Sequence, residues 1–213
     1  MRHLTARQVL LAVAGLLAAL LLGVLLGRAL PTAPGANSVD VGFSRDMSTH
    51  HAQAVSMAYT ALQRAPSEQV RQLAVDIAST QGNQMGRMQQ LLLTWDQPLA
   101  SAGRPVMAWM AGTDLHARHE AELEEGRTMP GMATAAEMAR LGQESGQAFE
   151  VDFLQLMLRH HAGGLDMARY GAEHATTDDV RDLAAAIASS QQAEGRLLTS
   201  YLSERGAAPL PAP

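Results

Sequence analysis

The sequence predicts an all-α fold: a four-helix bundle built from two duplicated helical hairpins joined by a long crossover, preceded by one N-terminal transmembrane helix. Three observations carry this. A stretch starting at Phe43 is written again from Phe153 without a gap, so that Met47 aligns with Met157, His50-His51 with His160-His161, and Met57-Ala58 with Met167-Ala168. The register then holds through Val70-Arg71, Leu73-Ala74, Ile77-Ala78-Ser79 and Gln81, which meet Val180-Arg181, Leu183-Ala184, Ile187-Ala188-Ser189 and Gln191. The repeated unit is therefore a whole hairpin and not a short motif. Third, Val9 to Gly27 is an unbroken apolar run without a charge, long enough to cross a bilayer.

Taken in order, residues 1–30 read as a membrane anchor. Arg2, His3 and Arg7 precede the apolar run, which puts the N-terminus in the cytoplasm and the rest of the chain outside, as a single-pass protein of the cell membrane. A cleavable signal has a shorter apolar region and a small-x-small site, and prolines crowd the candidate positions around residues 28–34. The alternative is a signal sequence whose removal leaves a secreted or periplasmic protein. Residues 31–39 form a Pro/Gly/Ala/Asn/Ser linker. The bundle spans residues 40–205. Its first helix runs from Asp40 to Arg64, broken by Pro66-Ser67, which also caps the second, Glu68 to Trp95. Gly and Pro from Asp96 onward begin the crossover. Thr134-x-x-Glu137 is a capping box opening a short helix to Gly142. The second hairpin follows, Gln147 to His174 and Asp178 to Glu204, with Thr177 as cap, and residues 206–213 read as a disordered tail. Two hairpins with a long crossover between the second and third helices is the ferritin-like connectivity.

Composition excludes several chemistries. There is no Cys, so thiolate sites, iron-sulfur clusters and disulfides are ruled out. All 16 basic residues are Arg, which removes Schiff-base and P-loop lysines. The net charge of −5 includes Arg2, Arg7 and Arg28, so the chain beyond them carries −8, the wrong sign for a nucleic-acid partner.

On a helix each residue advances by about 100°. With Met47 at zero, His50 falls near −60°, Met57 near −80° and His51 near +40°, and the second copy places Met157, His160, His161 and Met167 alike, with His174 extending the arc at about −100°. This His/Met arc coincides with the apolar arc that a helix turns toward its partners. Methionines at helical spacing fill cores, and a single histidine on such a face is a hydrogen-bonded core residue. A duplicated adjacent pair points further, to metal ligation, because four imidazoles directed at one core each need a partner.

The crossover gathers Met107, Met110, His116, His119, Met129 and Met132. His116 and His119 share a face if that stretch is helical. Two readings stand here: a mobile lid or second metal site, and an inert connection whose HxxH is surface sequence.

The motifs MSTHHAQAVSMA and MLRHHAGGLDMA, with Met129-Pro130-Gly131-Met132 ahead of the second, resemble the bacterial "domain of unknown function 305" family over roughly residues 40–205. The resemblance implies a ferritin-like bundle. It also implies, since CopM-like copper-binding proteins belong to that family, a role in copper binding.

Ferritin-like di-iron sites need Glu-x-x-His, and here Met occupies the slot three residues before His50 and His160. Thioether and imidazole together favour copper, above all Cu(I), with another transition metal as the alternative. The sequence thus predicts an extracytoplasmic Cu(I)-binding protein that sequesters copper or hands it to a metal-exchange partner. Two alternatives stand beside it: a metal-dependent redox enzyme on the same bundle, and an interaction module whose histidines only order the core. Asp46, Asp152 and Asp166 flank the motifs, either as further metal ligands or as helix-surface charges or hydrogen-bond partners for histidine.

Overall fold

The computed structural model describes residues 5–29, 32–101, 103, 105–114, 116–117, 120, 123 and 126–211, with the backbone alone for 24–29. The fold is all-α, with six delineated α-helices and no strand among the described residues. The chain divides into two compact units, Met1–Ala33 and Pro34–Pro213.

The first unit holds α1, Ala6–Ala29. Its window Ala6–Gly23 has a mean hydropathy of 2.0 and no buried residue. Leucine and valine surround the helix on all sides, so it has no polar face to turn to water. A membrane anchor and a signal sequence share this profile.

The second unit is the ferritin-like bundle. Helix α2 (Val39–Arg64) and α3 (Glu68–Thr94) form one hairpin. A short α4 (Ala135–Leu141) carries the expected capping box, with Thr134 and Glu137 satisfying each other's backbone amides. Helices α5 (Gly146–His174) and α6 (Asp178–Glu204) form the second hairpin. Ser67 caps α3 as predicted, accepting from Val70 N–H. Thr177 does not cap α6 through its side chain; its hydroxyl donates instead to Asp40 at 2.7 Å.

That contact is half of a reciprocal pair. Asp40, on the first turn of α2, accepts from the backbone N–H and the hydroxyl of both Thr176 and Thr177 in the α5–α6 turn. Its repeat equivalent, Glu150 on α5, accepts from the N–H and hydroxyl of Ser67 in the α2–α3 turn and pairs with Arg205. Burial alone would raise both carboxyls, but these donors outweigh it and hold both below the usual range. The two contacts fix α2 and α5 as antiparallel neighbours, each start lying beside the other hairpin's turn.

Apolar residues form two clusters. One gathers Met57, Ile77, Phe149, Phe153, Met157 and Leu198. The other gathers Phe43, Met47, Met88, Met167 and Ile187 with the crossover residues Met107, Trp109, Met110, Met129 and Met132. The crossover methionines are thus core, 5% exposed or less. Gly42 makes room for Trp109, since a Cβ there would lie 2.4 Å from the indole. Asp46 then receives Trp109 Nε1–H at 2.9 Å and Met107 N–H at 2.8 Å.

The tail departs from expectation. Gly206, at φ +67°, turns the chain back, and Ala207 N–H closes on Leu202 O at 3.0 Å, a left-handed helix ending that glycine favours. Ala207 and Leu210 then pack on the first cluster, and Gln155 donates to Ala208 O at 2.6 Å.

Candidate metal centre

The HH pairs meet where α2 crosses α5. His50, His51 and His160 are fully buried and His161 is 2% exposed. The rings of His50 and His160 lie against each other, tilted, with centroids 3.8 Å apart and 36° between their planes. His160 and His161 are separated by 6.3 Å.

Three of the four rings are fixed through one nitrogen. His50 Nε2–H donates to Pro130 O at 3.0 Å, and His160 Nε2–H donates to His50 O at 3.0 Å. A carbonyl can only accept, so both rings carry their proton on Nε2 and leave Nδ1 with its lone pair. His51 Nε2 meets Gln84 Oε1 at 2.9 Å, and Gln84 is oriented by donating to Ser190 Oγ. The Nδ1 atoms of His50, His51 and His160 are buried without a partner. His161 differs: Nδ1–H faces Met157 O at 2.9 Å and Nε2 faces the Glu194 carboxylate at 2.6 Å.

Burial sets the protonation state. Desolvation, with Pro130 O working against it and His161 adding to it, lowers His50 to about 4. Desolvation and the neighbouring His50 lower His51 to about 3. His160 is likewise pushed well below its ordinary value by burial and by the other three imidazoles. Three neutral rings with committed Nε2–H and free Nδ1 are imidazoles in a metal-ready tautomer.

The crossover builds the roof. Gly163 lets the backbone of the Met129–Met132 segment lie on α5, since a Cβ there would meet Pro130 O at 2.1 Å. At the equivalent position of α2 stands Gln53, which exchanges two hydrogen bonds with the backbone of Ala133. Arg159 secures the segment further, gripping Glu137 through both carboxylate oxygens at 2.7 and 2.9 Å. That grip holds Glu137 down at about 2 against the opposing effect of burial.

The structure does not bring together every residue on the predicted arc. Met47 and Met157 sit three residues, less than a turn, from the histidines of their own helices. Met57 and Met167 are seven residues from His50 and His160, roughly 10 Å along the axis; all four of these methionines lie in the apolar clusters. His174 is a correction: it is exposed at the end of α5, stacked on Tyr170, because fourteen residues at 1.5 Å place it about 21 Å from His160. His116 stands on the crossover, 3.9 Å from Glu120, and His119 lies outside the described residues. Met129 and Met132 flank the carbonyl that holds His50, and Met132 Sδ accepts from Thr128 Oγ1 at 3.4 Å.

Sequence reasoning missed four polar residues. Gln84 and Glu194 occupy the same repeat position, each thirty-three residues beyond its imidazole. Gln81 and Gln191, one turn earlier, are 1% and 2% exposed with both amide atoms unpartnered. A Cβ on Gly164 would lie 2.8 Å from the Gln191 amide and 2.9 Å from His50 Cε1, so this amide stands beside the ring. The repeat register is the signal that marks them. On the α5–α6 side a groove of about 390 Å³ reaches His161 and Gln191 between Leu158, Leu165 and Gly195.

Among the described residues, no group of three or more His, Asp or Glu side chains is arranged to hold a metal ion. What exists is a buried cluster of four imidazoles, three of them with an unpartnered Nδ1.

Comparison with known proteins places this architecture. A family model, domain of unknown function (DUF305), matches residues 40–202. The chain belongs to the DUF305 family. A DUF305 protein from Streptomyces coelicolor is 44% identical, covering 83% of this chain and 99% of its own, with a TM-score of 0.73. A DUF305 fragment from Deinococcus radiodurans is 32% identical over 82% of this chain and 99% of its own, with a TM-score of 0.64. CopM, solved in a Cu(I)-bound form, is 24% identical, with 78% and 96% covered and a TM-score of 0.54; at that identity the likeness speaks to the DUF305 fold. No curated protein sequence matches the chain.

Proposed function

We propose that this DUF305 protein binds Cu(I) at the paired histidines and sequesters it or hands it to a partner, outside the cytoplasm and tethered by α1. The observation that carries the reading is the tautomer: three buried neutral imidazoles whose Nε2–H groups are tied to oxygen acceptors while Nδ1 stays unpartnered. Leaving such lone pairs unsatisfied in a core costs about 1–3 kcal/mol each, and coordination offsets it. Imidazole nitrogen with the thioethers of Met47 and Met157 is a soft, neutral donor set suited to a monovalent soft ion. Bound there, copper would be held and shielded from water. CopM, solved with Cu(I), Cu(II) and silver, supports the choice of metal. The anchor reading of α1 rests on its length and on Arg2 and Arg7 ahead of its apolar run.

The test is a Cu(I) titration under reducing conditions against a chromophoric chelator, comparing the full chain with a variant in which His50, His51, His160 and His161 are all Asn. Tight uptake by the natural chain and its loss in the variant is the expected result. Equal uptake by both would refute the assignment.

A further inference from the structure

Each of the four long helices gives two side chains to one polar layer. Helices α2 and α5 supply His50, His51, His160 and His161, α3 supplies Gln81 and Gln84, and α6 supplies Gln191 and Glu194. Part of this layer is matched. Gln84 meets His51 Nε2, and Glu194 meets His161 Nε2 while Met157 O takes Nδ1. His161 therefore has no nitrogen to offer an ion, and its carboxylate partner no spare charge. The rest of the layer is bare: Nδ1 of His50, His51 and His160, and both amide atoms of Gln81 and Gln191, are seven buried atoms without a partner, where native cores leave very few. Gln191 lies beside the ring of His50. Its Nε2 and Oε1 come within 2.8 and 2.9 Å, and His50 Cε1 within 2.9 Å, of one point, the position of a Cβ on Gly164. Gly164 stands where the first copy has Ala54, and only the missing methyl lets this amide reach the ring.

A leucine at either glutamine position would fill the core without stranding polar atoms, so the amides are a cost to the metal-free fold. An ion held by neutral imidazoles supplies what they lack. It also needs them, because a buried charge must be met by an opposite charge or by dipoles, and no unmatched carboxylate is hydrogen-bonded to the cluster among the described residues. Amide carbonyls are such dipoles, and they face ions in this way in channel filters. A single positive charge is within their reach. The desolvation cost of a divalent ion rises with the square of its charge, and neutral groups leave it under-compensated.

We infer that Gln191, with Gln81 at the matching repeat position, is the specificity-determining residue of the centre: a carboxamide whose free carbonyl oxygen faces the ion's charge where a carboxylate would otherwise stand, matching the site to a monovalent ion. The inference rests on the Cu(I)-binding reading above. The imidazoles remain the ligands, and the two glutamines act on the ion through their dipoles.

The experiment makes two measurements on the full chain: the urea midpoint without metal, and the dissociation constants for Cu(I), by chelator competition, and for Zn(II). The natural protein is compared with Gln191→Leu, Gln81→Leu and Gln191→Glu, each checked for folding by circular dichroism. The Leu variants are expected to keep or raise the metal-free midpoint, since an unsatisfied amide gives way to an apolar group of similar size. The same variants are expected to weaken Cu(I) about 10- to 100-fold, the range for a group standing behind a metal-bound histidine. Gln191→Glu keeps the shape and the oxygen but adds a charge; it is expected to retain Cu(I) and to tighten Zn(II) at least about tenfold relative to it. An amide that merely orders the core gives the opposite pattern, a lowered midpoint in the Leu variants and an unchanged ratio of the two metals in Gln191→Glu, and that result overturns the inference. If the natural chain binds Cu(I) through its histidines and Gln191→Leu binds it as tightly, this inference falls alone. If the natural chain takes up no Cu(I), both readings fall together.

Discussion

Acid should begin to destabilise this bundle below about pH 6.5, well above the pH at which its carboxylates protonate. In the unfolded chain His50, His51 and His160 take up protons near 6.5. In the fold His50 does so only at about 4, His51 at about 3, and His160 is held well below its ordinary value. Between those limits the unfolded state binds up to three more protons, so stability is full above 6.5 and falls as pH drops. Each proton contributes about 1.4 kcal/mol per pH unit. Weighted for partial protonation near 6.5, the three imidazoles remove about 3–4 kcal/mol between pH 6 and pH 5. Asp46, raised by burial, works the other way with one proton, at lower pH. A loss of that size is a large part of a typical 5–15 kcal/mol. Urea denaturation of the metal-free chain at pH 7.5, 6 and 5 reads it directly. Replacing the three histidines by Asn should flatten the slope. A denaturation midpoint unchanged between pH 6 and 5, or one that rises on acidification, would refute the buried neutral state.

Four further outcomes follow. Gly163→Ala should push Pro130 O off His50, costing about 1–3 kcal/mol of stability and weakening Cu(I) binding in the same variant; a stable protein with unchanged affinity would argue against the roof. Glu150→Gln should cost about 3–5 kcal/mol, because it strands Arg205, whereas Asp40→Asn, which strands no charge, should cost less in the same thermal unfolding assay. Gly195→Met, copying the residue at the equivalent position on α3, should fill the groove beside Leu158 and slow Cu(I) loading in stopped-flow measurements while leaving the equilibrium constant unchanged. Ag(I) at about one hundred times its dissociation constant should stabilise the natural chain by about 2.7 kcal/mol, and should leave the four-histidine variant's unfolding temperature where it was.

The hairpins, their order and the pairing of the HH helices were legible because a repeat in register carries both helical faces and topology. What misled was the use of angle alone. Met57, Met167 and His174 share an arc with the histidines, but an angle assigns a side and says nothing of depth along the axis. Glu194 and Gln84 escaped notice because each sits on a polar-rich helix where a single residue resembles surface; their meaning appears only when the two copies are read against each other at one position. Pro130 was flagged for its methionine neighbours, yet its part is played by a carbonyl oxygen, which no pattern of side chains announces. Within the crossover, the stretch around Met107 and Trp109 is seated by Trp109 in the space left by Gly42, with Asp46 beneath, a fit that no side-chain pattern in the sequence announces.

The exchange of caps between Asp40 and Glu150 bears on how such a chain could arise. Each acid completes a turn that belongs to the other hairpin, so a lone hairpin carries both the key and the lock but cannot use one on the other. Two separate copies can, by meeting head to tail about a two-fold axis. The design is that of a homodimer written into one polypeptide. Joining the copies kept the symmetric frame and freed one half from matching the other: a single crossover could then cover the centre from one side, and a carboxylate could appear on one strand of the duplication without its twin.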